Sequence, residues 1–393
     1  MNETLKCQVL VVTPLISIMK EQCEYLNSLG IRSTYLGKDN SEDSGIINEQ
    51  YDFIFSSPEN LLNVCKWRQM LEKTDSFRLM VVDEAHTVLH WGEAGRDDEP
   101  FRVWYGRLSE ARSLIKCPVL LITATANKSA RKKIQKKFAM HDCCELIDNP
   151  DRPNIKLFVQ KYKQTVPIES VLKQLICLVN EKQNLCDRYI VFCPSIALCS
   201  KVFTAFRLEI GNKKIKHVEM YHSKTTDQTK EKIRKDLNDP SGQVRILVAT
   251  SAAGMGVNFL GVSYVINFGP PKDMDSLVQQ VGRCGRDGTQ AMAMLIFNKA
   301  QCRGLDSEMK DYVNNKSSCR RQLILKNYNA KLPELKKHLC CDICESSCDC
   351  KSDQCKTFDF PISNNDPEEV HSDTECDERI SSSSSNVSES DTE

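Results

Sequence analysis

No run in the 393 residues approaches 18 uninterrupted apolar positions, so no membrane-spanning helix is expected. The first residues, MNETLKCQVLVVTP, lack the basic start and long apolar stretch of a secretion signal, which predicts a chain that is not exported. An excess of one charge is also missing: 53 Lys and Arg balance 53 Asp and Glu. Glycine (16) and proline (14) are too scarce for a collagen-like chain, and 40% hydrophobic residues are too many for a wholly disordered one. A G-x-x-x-x-G-K-[ST] loop is missing as well. The nearest string, Gly37-Lys38-Asp39, has neither the spacing nor the hydroxyl.

What is present is unevenly distributed. Residues 351–393 carry 12 acidic and 3 basic side chains, which leaves residues 1–350 with 50 basic and 41 acidic. A mildly basic body with an acidic tail is weakly suited to a nucleic-acid partner, and equally to a plain solvated surface. The tail is rich in Ser, Asp and Glu and ends SSSSSNVSESDTE, so it is expected to be disordered, a solubilising segment with room for protein partners. Of the 20 cysteines, 12 lie scattered before Ser318, several inside apolar runs, and read as reduced, buried small hydrophobes. The other eight crowd into residues 319–376, which reads as a metal site.

Short apolar runs alternate with helix-length polar stretches. The first series covers residues 8–13, 51–56, 78–84 and 119–125; the second covers 188–195, 217–222, 245–250 and 264–269. They are apolar on both faces, as in parallel strands covered by helices on either side. Residues 128–138 and 227–237 predict two of those helices. Two doubly wound α/β domains follow, with a break near DNPDRPN (148–154), where two prolines interrupt helix. The expected division is 1–150, 151–310, a Cys/His-rich segment at 311–350, and the tail at 351–393.

Chemistry is expected where strands end, because ligands of open α/β sheets sit at the carboxyl ends. RLMVVDEAH ends a strand in Asp83 and Glu84: one carboxylate can hold Mg²⁺ and the second can orient or deprotonate a water. Thr123-Ala124-Thr125-Ala126 ends another strand, with hydroxyls able to bond those carboxylates. In QQVGRCGRDG (279–288) the glycines allow a tight turn, and Arg283 and Arg286 share a face if the segment is helical. Guanidinium forks suit phosphate oxygens.

In order, VVTPLISIMKEQ, SPENLL, VVDEAH, TATA, DRPNI, IVFCPS, VATSAAGMGVN and QQVGRCGRDG resemble the successive motifs of RecQ-type DNA helicases of superfamily 2, over roughly residues 8–344. The resemblance implies two RecA-like lobes with ATP and Mg²⁺ between them, and 3′→5′ movement along single-stranded DNA that unwinds duplex DNA. It implies that Asp83, Glu84, Gln279, Arg283 and Arg286 are catalytic and that His86 joins the nucleotide site. It also implies that Thr13, Pro14, Ser57, Thr250 and Ser251 touch the DNA backbone. HWG (90–92) and Phe101-Arg102 resemble the aromatic-rich loop that couples ATP to DNA, with Trp91, Phe101 and Trp104 available to stack on bases and Arg102 to meet a phosphate. Residues 93–100 make that loop longer and more acidic than the family's.

The family's zinc subdomain sets a first cysteine before a helix and a C-x-x-C-x-x-C after it. The matching frame here gives Cys319, His338, Cys341 and Cys344, a Cys₃His zinc set with His where the family has Cys. Cys340 is the rival to His338, and Cys348, Cys350 and Cys355 could support a shifted frame. Against the family pattern the chain starts after the first strand and phosphate loop. The expectation is an N-terminally incomplete helicase or, alternatively, a non-catalytic DNA-binding scaffold derived from one. A nuclear location is expected by family analogy.

Overall fold

The computed structural model describes residues 7–92, 102–210, 215–251 and 259–350. Phe101, residues 93–100 of the aromatic-rich loop, and the acidic tail lie outside them.

Two parallel sheets form the two expected α/β lobes. The first contains β1 (Gln8–Val12), β2 (Ser33–Tyr35), β3 (Phe53–Ser56), β4 (Phe77–Val82) and β5 (Val119–Leu121), in the order β2-β3-β1-β4-β5. The second contains β6 (Ile155–Lys161), β7 (Arg188–Phe192), β8 (Val218–Tyr221), β9 (Ile246–Ala249), β10 (Val262–Phe268) and β11 (Ala291–Phe297), in the order β6-β11-β10-β7-β9-β8. Every pairing is parallel. Parallel neighbours need a crossover, so helices must cover the faces.

The lobes meet the two-faced expectation differently. In the second, β7, β9 and β11 are buried at every residue, between one layer around Leu247 and Leu295 and another around Phe206 and Val248. In the first, β1 and β4 alternate: Leu10, Met80 and Val82 enter the core, while their neighbours are only partly covered. The helix Ile16–Ser28 supplies Met19 and Cys23 to the second face, against Phe55. β5 is an edge strand among the described residues, with Leu120 and Ile122 about half exposed.

The expected helices appear as Lys128–Lys137 and Asp227–Asn238, started by Asn127 and Thr226 side chains that accept from Ala130 N and Thr229 N. Residues 143–152 carry no helix or strand, which is where the chain passes from one lobe to the next. Beyond β11 the helix Arg320–Tyr328 packs Ile324 and Tyr328 into the second lobe's core.

Candidate active site and metal centre

Parallel register brings three loops of the first lobe together. Val12 pairs with both Ser56 and Val82, so Thr13, Ser57 and Asp83 emerge side by side beyond β1, β3 and β4. Thr13 Oγ1 donates to Asp83 Oδ2 at 3.3 Å, and Glu84 N donates to Asp83 Oδ1 at 2.9 Å. Glu84 has φ of +48°, a left-handed conformation unusual for a residue with a side chain. Strain of this kind collects at functional sites. Its Oε2 is buried without a hydrogen-bond partner among the described residues. His86 Nδ1 stands 3.4 Å from that oxygen but bonds Thr123 Oγ1 at 2.9 Å. The Thr123 hydroxyl therefore meets Glu84 by way of His86.

The second lobe supplies cations to the same place. A cleft of about 480 Å³ is lined by Asp83, Glu84 and Thr125 on one side and by Gln279, Arg283 and Arg286 on the other. Arg283 and Arg286 do not share a helical face. The helix Met274–Val281 ends before them, and a turn at Gly285 (φ +57°) brings both into the cleft. A Cβ at Gly285 would lie 2.6 Å from Asn154 Nδ2 and 2.8 Å from Ala291 Cβ, so only glycine fits there.

The charges interact across the gap. Burial, then the Asp83 charge, push the Glu84 carboxyl up to about 7, and Arg283 opposes the rise. Burial and Arg286 push Arg283 down to about 10, and Glu84 opposes that. Burial also raises Asp83, against its two hydrogen bonds. An anion that brings a divalent cation would relieve both halves: Asp83 and the orphaned Glu84 oxygen fit Mg²⁺, and the guanidiniums fit phosphate.

Arg102 has a different setting from the one expected. Its Nε and Nη2 donate to Glu59 at 2.7 and 2.6 Å, and Nη1 donates to Pro14 O at 2.7 Å. The same guanidinium lies over Trp91 and Tyr105, with centroids at 5.6 and 4.7 Å. It ties the loops after β1 and β3 to the aromatic segment, and the fork that was to meet a phosphate is engaged within the lobe. Trp91 meets Tyr105 edge-on and Trp104 lies under Arg107; both pack against the core. Burial alone would raise Glu59, but the Arg102 hydrogen bonds and charge hold it below the usual carboxylate range. Arg102→Ala should therefore lower stability by about 2 kcal/mol in urea unfolding. A purely phosphate-binding arginine would leave stability unchanged and weaken DNA binding alone.

The cysteines of the third segment converge, but in a different set. Cys319, Cys340, Cys341 and Cys344 place their sulfurs within 4.8 Å of one another, Cys319 and Cys340 at 3.5 Å. Zn–S bonds of about 2.3 Å place tetrahedral S···S edges at roughly 3.8 Å, so the set fits zinc. His338 is not among them, and its ring groups with Cys348 and Cys350 instead. It lies two residues before Cys340 on the one-turn helix Lys337–Cys340, and about 100° per residue points the two to opposite sides. Arg320 Nε pairs with Asp342 at 2.6 Å, Lys156 with Glu345 at 2.7 Å, and buried Arg321 with Asp151. Arg321 also holds Arg152 O at 3.0 Å, so the metal segment grips the chain between the lobes.

Residues 2–134 match the family described as DEAD/DEAH box helicase, and residues 169–288 match the helicase conserved C-terminal domain. RecS of Bacillus subtilis, a probable ATP-dependent DNA helicase, is 29% identical over 296 residues, covering 73% of this chain and 55% of its own. The ATP-dependent DNA helicase RecQ of Haemophilus influenzae is 27% identical over 299 residues, covering 74% and 44%. The chain is similar in sequence to RecQ-type DNA helicases.

The chain spans only part of the length of its curated relatives, 25% to 62% among those compared. Its fold is that of solved helicases: Dbp5 of S. cerevisiae bound to RNA and ADP BeF3 superposes with a TM-score of 0.60, at 17% identity, covering 80% of this chain and 77% of that one. The cleft gathers Asp83, Glu84, Gln279, Arg283 and Arg286. The expected DNA contacts are more withdrawn. Thr13, Pro14, Ser57 and Thr250 are buried, with Ser57 capping the helix Pro58–Asn63, while Ser251 is exposed. Sequence reasoning missed Arg152, which lines the cleft and depresses Arg286 together with burial. Only its place inside DRPNI pointed to it.

Proposed function

We propose that this chain acts as an ATP-dependent DNA helicase of the RecQ type, moving 3′→5′ along a single strand and opening duplex DNA. The carrying observation is the cleft in which the acids of one lobe face the arginines of the other. Mg²⁺ at Asp83 would neutralise phosphate charge and orient the triphosphate. Thr13 fixes the Asp83 carboxylate. Glu84, with its elevated pKa and buried oxygen, is matched to accept a proton from an attacking water near neutral pH. Arg283 and Arg286 stabilise charge on the transferring phosphoryl group from the opposite lobe. Turnover would change the grip between the lobes, and with it their spacing on DNA. Zinc at Cys319, Cys340, Cys341 and Cys344 would hold the segment after the second lobe in shape.

The test uses two duplexes, one with a 3′ single-stranded overhang and one with a 5′ overhang, and reads phosphate release and strand separation. Release stimulated by single-stranded DNA, with opening of the 3′-overhang duplex alone, is the expected result. Opening from the 5′ overhang would overturn the polarity. DNA binding without turnover would support the non-catalytic DNA-binding reading.

A further inference from the structure

His338 and two of the remaining cysteines form a cluster of their own. His338 Nδ1 lies 3.5 Å from Cys348 Sγ and 3.3 Å from Cys350 Sγ, and the two sulfurs are 3.2 Å apart. All three donor atoms lie within 4.8 Å of one another. Zn–S bonds of about 2.3 Å and Zn–N bonds of about 2.0–2.1 Å set tetrahedral edges of roughly 3.6 Å between S and N and 3.8 Å between sulfurs. The imidazole–sulfur spacings match that edge, and the sulfurs need to part by about half an ångström. His338 is only 5% exposed, so its ring is committed to this side of its helix.

The arrangement is held by contacts other than those of the cluster. Lys337 Nζ donates to Ser347 O at 3.0 Å and pairs with Asp349 at 3.5 Å. Cys348 N donates to Glu345 O at 2.9 Å. These pin the C-x-C strap against the helix that carries His338. The helix Lys337–Cys340 thus presents Cys340 to one cluster and His338 to the other.

We propose that His338, Cys348 and Cys350 form a second zinc site, distinct from the four-cysteine cluster, which opens and closes with the redox state of Cys350. Cys350 takes part in a disulfide in this structure. A sulfur cannot be a thiolate ligand and half of a disulfide at once. Two equivalents of a low-molecular-weight thiol reduce that disulfide to two protein thiols and are themselves joined as a disulfide. Zn²⁺ then displaces one proton each from Cys348 and Cys350 and takes the lone pair of neutral His338 Nδ1. Water completes the tetrahedron. Two thiolates balance the ion's charge, and a sulfur-rich set favours zinc over Mg²⁺ or Ca²⁺.

Zinc is counted in the full chain after loading in a phosphine reductant without oxygen, then desalting. Reduced wild type should hold two zinc ions, and the oxidised protein one. Cys348→Ser and His338→Gln should each hold one when reduced, the four-cysteine site remaining loaded. A single zinc in the reduced wild type would overturn the proposal, as would two in both variants. If that single zinc is lost in Cys340→Ser, the four-cysteine site stands and only the second site fails. Cobalt substitution gives an independent reading. Cys348→Ser should remove part of the thiolate-to-metal absorption, and an unchanged spectrum would reject Cys348 as a ligand.

Discussion

Glu84→Gln is expected to remove ATP turnover by about 10²–10⁴-fold and yet make the free protein more stable. Both effects come from one carboxylate. In the fold its pKa is pushed up to about 7, from 4.5 for an ordinary glutamate. Between those values the folded protein keeps a proton that the unfolded chain has released, so stability falls as pH rises through the window. Above about pH 7 the charge is buried beside Asp83 with an unbonded oxygen. Glutamine keeps the shape and removes the charge. The gain at pH 8 should be about 1–3 kcal/mol, shrinking towards nothing near pH 4.5. Urea unfolding at the two pH values, alongside phosphate release, measures both. Equal stability at pH 8 would mean that Glu84 is not strained by its surroundings. Undiminished turnover would remove it from the chemistry. A group that destabilises the resting protein and is relieved by its ligand is the common trade between stability and activity.

The second large effect is expected from stripping the four-cysteine cluster. Structural zinc binding in small domains is worth about 10–16 kcal/mol at pH 7, and that binding energy is folding energy. Cys340 and Cys341 lie in the same core as Leu157, Tyr312 and Tyr328, so loss of the metal should disturb the second lobe as well as residues 319–346. A chelator, or Cys319→Ser, should lower that lobe's thermal midpoint by on the order of 10 °C and expose the segment to limited proteolysis. The damage should reach the cleft too. Arg321 binds Asp151 and the Arg152 carbonyl, and Arg152 lines the cleft. Zinc removal with an unchanged midpoint and cleavage pattern would show that the cluster is not what orders this segment.

Much of the scaffold was legible because its signals are local. Valine- and isoleucine-rich runs became strands, and Asn127 and Thr226 opened the helices that follow them. The strands β2, β6 and β11 went unread. Ser33–Tyr35 is too short for a periodicity, and AMAMLIF mixes helix-favouring Ala and Met in a run whose burial is complete. The site was legible where a motif carries its chemistry at a strand end, as at Asp83 and Glu84. It was not legible where the outcome depends on which neighbour wins. The Arg102 fork is taken by Glu59, 43 positions away, and no spacing announces that. His338 and Cys340 were separable only by the turn of a four-residue helix. Arg283 and Arg286 both line the cleft, but beyond the end of their helix and around a left-handed glycine rather than on a shared helical face.

The open flank of β5 has a practical consequence. Among the described residues no strand pairs with the outer side of β5, and a polypeptide laid along it in parallel would gain backbone bonds and cover Leu120 and Ile122. The same strand runs directly into Thr123, whose hydroxyl steadies His86 beside Glu84. A strand laid on that flank would stiffen the cleft from behind, because order at the edge and order at the acidic pair pass through the same Thr123.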